Sequence, residues 1–275
     1  SELSSIILRS KGKFEFAILF QRFIRVILSV LAIIFYLFDI KSLNILLIVF
    51  GITHMLFGIM SYYYIKTFIQ SNGRQIPNYI FKEGLYFSLM DISSLIYFYG
   101  INMLIVGLIS IEALGAFFAI NIILRIYELF TQSADFIIMP TSSKLDYHSA
   151  CLIIFKNITI GAVLSVFFLY YGSDLVSFFY EQKYDTYLFL LPYAVIIGFI
   201  KMLEVVPYSI IGGVFKNSTL KKYLLINIIF PLILFPLSIY LIKSSALVGA
   251  MNSLIILYLC RTFSGYFFFF KEKKS

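Results

Sequence analysis

A chain of 275 residues that is 61% hydrophobic and 13% charged, with a mean hydropathy of +0.94, carries more apolar surface than a water-soluble domain of its size can bury. The formal net charge of +8 would suit a nucleic-acid partner only if the basic residues formed one patch, and they are instead spread over short segments between apolar runs. The two cysteines, Cys151 and Cys260, give neither a disulfide framework nor metal-ligand spacing.

Apolar runs long enough to cross roughly 30 Å of hydrocarbon fall at 16–38, 43–66, 84–108, 113–139, 152–173, 187–214, 221–242 and 245–270. They predict an all-α, polytopic membrane helix bundle of about eight transmembrane helices. Their connections are short and leave no room for a soluble domain. Phe and Tyr are abundant and Trp is absent, so an interfacial aromatic belt has to be built from Tyr. With the C-terminal "KEKKS" placed in the cytoplasm, the segments 1–15, 67–83, 140–151 and 215–220 are cytoplasmic as well. These and their flanks carry Arg9, Lys11, Lys13, Lys66, Arg74, Lys82, Lys144, Lys156, Lys216, Lys221, Lys222, Lys271, Lys273 and Lys274. The other side has only Lys41, Lys183 and Lys243. The positive-inside rule therefore fixes the orientation and accounts for the basic excess with no nucleic acid.

Residue 1 is Ser, and "SIILRSKGKFEFAILFQRFIRVIL" (5–28) resembles "SIIGGVFKNSTLKKYLLINIIFPLIL" (209–234) across a two-residue gap. Each copy reads as the end of one span, a short basic loop and the start of another. The repeat leads to the expectation that the chain is the C-terminal part of a longer protein. Pro207, Pro231 and Pro236 fall inside apolar runs, where each frees the carbonyl four residues earlier, those of Leu203, Asn227 and Leu232. Such breaks are tolerated where they face protein or a wet cavity.

The stretch "INMLIVGLISIEALGAFFAINIILRIYELFTQSADFIIMPTSSKL" (101–145) carries a resemblance. Its pattern of Asn102, Gly107, Glu112-Ala113-Leu114-Gly115, a helix of aromatic and small residues, and Pro140 with Ser142 at the exit resembles the polysaccharide-biosynthesis flippases. These include O-antigen and capsule repeat-unit translocases and share a superfamily with multidrug extruders. The resemblance implies two six-helix lobes arranged as a V, of which this chain supplies helices five to twelve. Residues 1–83 are then the end of the N-terminal lobe with a cytoplasmic linker, and 84–275 the C-terminal lobe. Two features depart from the family pattern: Asn102-Met103 stands where it usually has Asp-Arg, and no Pro lies at 87–90. In physical terms, Glu112 favours the positive end of the following helix, and Gly115 permits close helix approach.

Ionisable residues inside the runs are Asp91, Arg125, Glu128, Asp135, Lys201, Glu204 and Arg261. Facing lipid at a helix centre, each would cost roughly 2.5–3.5 kcal/mol. The helical rise puts Arg125 about 18 Å and Lys201 about 21 Å below the outer ends of their spans, and Arg261 about 15 Å above its inner end, so the three cations gather near the midplane. Two readings follow. Arg125–Glu128 and Lys201–Glu204 are both i,i+3 and can neutralise themselves on one helix face, leaving Arg261 without a local partner. Alternatively, Arg125, Lys201 and Arg261 line a cavity that binds a lipid-linked pyrophosphate or acidic sugar, and Asp91, Glu128 and Glu204 act as a proton or cation relay.

His54 and His148 are too few and too far apart for a metal site. The triplets "NIT" (157–159) and "NST" (217–219) lie on the cytoplasmic side, where no glycan is added. No Walker motif is present and no cofactor is expected. The leading functional expectation is a flippase in a bacterial inner membrane, moving undecaprenyl-pyrophosphate-linked repeat units, with membrane lipids, a polysaccharide polymerase and a chain-length regulator as partners. A cation-coupled extruder and a membrane-embedded polymerase are the alternatives. A polymerase would need a larger outer loop than "YGSDLVSFFYEQKYDTYL".

Overall fold

The computed structural model describes residues 43–69, 78–142, 145–214 and 217–273, with scattered positions between 27 and 38. Nearly all of the first copy of the repeat (5–26) lies outside the described residues, as do most of the 16–38 run and the side chains of Asp91, His54 and Pro140. The chain divides into two units, Ser1–Ile76 and Pro77–Ser275. In the first, α1 spans Leu43–Ile69. Its Thr53 hydroxyl donates to the Val49 carbonyl at 2.8 Å, which hides a polar group on an apolar helix.

The second unit is helical throughout its described residues: α2 (Asn78–Leu108), α3 (Ile111–Ile120), α4 (Ile122–Thr141), α5 (Tyr147–Tyr180), a 3₁₀ turn at Asp185–Leu190, α6 (Leu191–Val214) and α7 (Asn217–Lys273). A straight helix of 57 residues would reach about 85 Å, far beyond a bilayer. It does not run straight, because Ser245 and Ala246 leave helical geometry, Ala246 with φ 50 and ψ −126. Across that break Tyr223 meets Phe268, and the Asn227 amide approaches the Ser264 hydroxyl. The Tyr97 hydroxyl bonds both the Ser238 hydroxyl and the Ser253 carbonyl. The members of each pair (223 and 268, 227 and 264, 238 and 253) are equidistant from the break. The segment is therefore an antiparallel hairpin with arms 217–244 and 247–273.

Contacts also fix the direction of the other helices. Tyr127, Glu128 and Asp135 of α4 meet Gly198, Lys201 and Ser209 of α6 in rising order, so these helices run parallel. Lys201, Glu204 and Pro207 meet Tyr258, Arg261 and Gly265, so α6 is parallel to the second arm of α7. Helix α5 opposes α6, since Asn157 meets Met202 and Gly172 meets Leu191. Ser93 and Tyr97 of α2 meet Ile228 and Phe235, so α2 follows the first arm of α7. Successive helices thus alternate in direction, with the 109–110, 181–190 and 245–246 connections at one end, and the ends of α4 and α6 with the starts of α5 and α7 at the other.

The sequence predicts one uninterrupted helix over 113–139. The structure bends it by 43° between α3 and α4, at Asn121, which is buried with neither side-chain polar atom hydrogen-bonded among the described residues. Helix α5 starts earlier than its apolar run because the Asp146 carboxylate caps it, accepting from the Ser149 amide at 3.1 Å.

The core gathers Tyr97, Ile101, Phe117, Tyr127, Phe168, Ile197 and Met251 from α2 to α7. Gly198 is required at its centre, because a Cβ there would overlap the Tyr127 ring. Elsewhere large apolar side chains stay uncovered: Phe155, Val163, Tyr170 and Phe178 of α5 are all exposed, far more than a water-soluble monomer presents. Among the described residues, three segments are long and apolar enough to cross a membrane: Tyr147–Tyr180, Asp185–Gly213 and Ser218–Lys271. The bent pair Ile111–Ile120 and Ile122–Met139 makes a fourth if it is one span.

Candidate functional site

Polar residues inside this apolar unit converge on one place. Thr131 of α4, Lys201, Glu204 and Tyr208 of α6, and Tyr258 and Arg261 of α7 line a cavity of about 270 Å³. Helical periodicity puts them there: Lys201, Glu204 and Tyr208 follow i, i+3, i+7 on one face, and Tyr258 and Arg261 follow i, i+3 on the parallel arm.

The charges pair across helices. Lys201 Nζ donates to Glu128 Oε1 at 2.6 Å, and its ammonium also lies 4.9 Å from the centre of the Tyr258 ring, a cation–π distance. Arg261 Nε lies 2.9 Å from Glu204 Oε1. Its N–H is off the line of a hydrogen bond, so the contact is ionic. Arg261 Nη1 donates to the Ser94 hydroxyl at 2.9 Å, tying α7 to α2. Arg125 Nη1 donates to Glu128 Oε2 at 2.8 Å, as the i,i+3 spacing predicts. Glu128 therefore bridges two cations. Just beyond, the Ser209 hydroxyl donates to Asp135 Oδ1 at 2.6 Å.

Two expectations change. The Lys201–Glu204 pair expected from spacing does not form, because each residue finds an opposite charge on a neighbouring helix, where two elements held in register bring the groups into contact. Arg261, without a partner on its own helix, pairs instead with Glu204 of α6. Of the three expected cavity cations, Lys201 and Arg261 line the cavity, whereas Arg125 does not and its side chain is 71% exposed.

The 101–145 stretch serves the fold. The Ser110 hydroxyl, not Glu112, caps α3 by accepting from the Ala113 amide at 3.0 Å, and Glu112 is an exposed acid in the first turn. A Cβ on Gly115 would crowd the Tyr184 hydroxyl, so Gly115 makes room for a tyrosine of the 181–190 turn and not for a helix. Gly107 has open space around it. Asn102 is buried with its Oδ1 unbonded. Sequence reading missed Thr131, Tyr208, Tyr258 and Ser94. The signal for the tyrosines was present, since each sits one helical turn from a buried charge.

Among the described residues no group of His, Cys, Asp and Glu could hold a metal ion. No family model, curated protein or solved structure matches the chain.

Proposed function

We propose that the protein is a flippase of the bacterial inner membrane that carries undecaprenyl-pyrophosphate-linked repeat units to the outer leaflet. In this reading the chain crosses the membrane about eight times, with its C-terminus in the cytoplasm, which the Lys and Arg distribution supports. The observation that carries the reading is the polar cavity at Lys201, Glu204 and Arg261, set midway along helices whose outer faces are apolar. Charges at that depth are retained where they serve a pathway for a polar solute. The motif resemblance over 101–145 supplies the substrate class.

The test is translocation. The full chain is reconstituted in liposomes with a lipid-pyrophosphate-linked oligosaccharide in both leaflets. Exposure of the inner-leaflet sugar to an impermeant periodate reagent should proceed several-fold faster than in protein-free liposomes. Equal rates would remove the flippase reading.

A further inference from the structure

Resting on that reading, we propose that the cavity between α4, α6 and the second arm of α7 is a subsite for one uncharged, hydroxyl-rich sugar residue. On this assignment it does not hold the pyrophosphate or an acidic sugar. The charge balance leads there. Both cations at the cavity are already matched, Lys201 by Glu128 at 2.6 Å and Arg261 by Glu204 at 2.9 Å. An incoming anion would have to compete with Glu204 for Arg261, leaving a buried carboxylate without its counter-charge, or with Glu128 for Lys201, leaving Glu128 only the exposed Arg125.

A hydroxyl group has the opposite relation to the same pairs. It donates to a carboxylate and accepts from a cation at once, so it bridges an ion pair without breaking it. Glu204 offers lone pairs beyond the one facing Arg261, and the guanidinium has five N–H donors, of which the contacts to Glu204 and Ser94 use only part. Tyr208 and Tyr258 supply phenol rings to the wall, one face of Tyr258 lying against Lys201, and Thr131 and Val205 complete it. Apolar C–H faces set between rings, with a rim of hydroxyls on charged partners, describe a pyranose. The volume of about 270 Å³ lies just under the roughly 300 Å³ at which sites for larger small molecules begin. It fits a single sugar residue.

Binding to the purified full chain in nanodiscs is read by saturation-transfer NMR, with neutral methyl glycosides compared with the corresponding methyl uronosides and with inorganic pyrophosphate as competitor. At least one neutral glycoside should receive saturation from the protein, with the matched uronoside at least tenfold weaker and pyrophosphate without effect. The glycoside signal should fall in both Tyr258→Leu and Glu204→Gln. A uronoside bound as well as its neutral counterpart, displacement by pyrophosphate, a signal unchanged in both variants, or no transfer to any glycoside would each overturn the assignment. The liposome experiment decides the flippase reading separately: glycosides that bind without translocation would end that reading and leave the subsite standing.

Discussion

Glu128, Lys201, Glu204 and Arg261 differ in what each loses when its partner is removed. The side chains of Glu204 and Arg261 are each 11% exposed, and breaking a buried pair by deleting one member costs about 3–5 kcal/mol. Arg261→Met should lower thermal stability in detergent by about that much, and adding Glu204→Gln should restore most of it. Lys201→Met should cost less, because Glu128 keeps Arg125 at 2.8 Å. Arg125→Ala should also cost less than Arg261→Met, because Glu128 keeps Lys201 at 2.6 Å. Equal losses for Lys201→Met and Arg261→Met would contradict this ranking. The Arg125–Glu128 pair was legible in the sequence because i,i+3 spacing is a local property of a helix. The Lys201–Glu128 and Glu204–Arg261 pairs were not, because they depend on the register between helices, which no spacing within one helix encodes.

At the scale of elements, the apolar runs from 113 to 270 coincide with described helices, whereas helix ends and breaks were poorly legible in the sequence. Hydropathy averages over many residues, whereas a helix end depends on one cap. The Asp146 carboxylate illustrates this. Hydrogen bonds from the Ser149 side chain and backbone amide hold its pKa below the ordinary carboxylate range. A lowered folded pKa stabilises the helix start above the ordinary Asp value of about 3.9 and loses that effect as pH falls through the lowered one. Protection of the 147–150 amides, measured as the exchange rate relative to the intrinsic rate at each pH, should therefore fall on acidification in the wild type. It should be low at every pH in Asp146→Ala, and high with little pH dependence in Asp146→Ser. The hairpin break offers a second case. Ala246 takes a positive φ of 50, where an L side chain is strained by roughly 1–3 kcal/mol. Ala246→Gly should raise the unfolding temperature in detergent, with about 1 kcal/mol of added stability. A drop in stability would show that the methyl group packs usefully at the turn.

For the second unit as a whole, the alternation of helix directions makes a claim about sidedness. The 181–190 and 245–246 connections share one end, and the starts of α5 and α7 share the other. In a background without Cys151 and Cys260, cysteines at Glu181 and Lys243 should be labelled by an impermeant reagent from one side of the membrane. Cysteines at Asp146 and Lys221 should be labelled from the other. Labelling of Glu181 and Lys243 from opposite sides would break the assigned topology.

The bridge from Glu128 to Lys201 also has a consequence during synthesis. The two residues are 73 positions apart, and ribosomes add about 5–20 residues per second. On the membrane reading, α4 reaches the insertion machinery with Arg125, Glu128 and Asp135 aboard, each costly to insert at a helix centre. Its tertiary counter-charge is not made for about 4–15 s more at those rates. For that interval α4 is a poor candidate for release into lipid, and the translocon or an insertion chaperone has to hold it. Nascent chains stalled before Lys201 should keep α4 crosslinked to that machinery, whereas chains stalled after α6 has emerged should let it go.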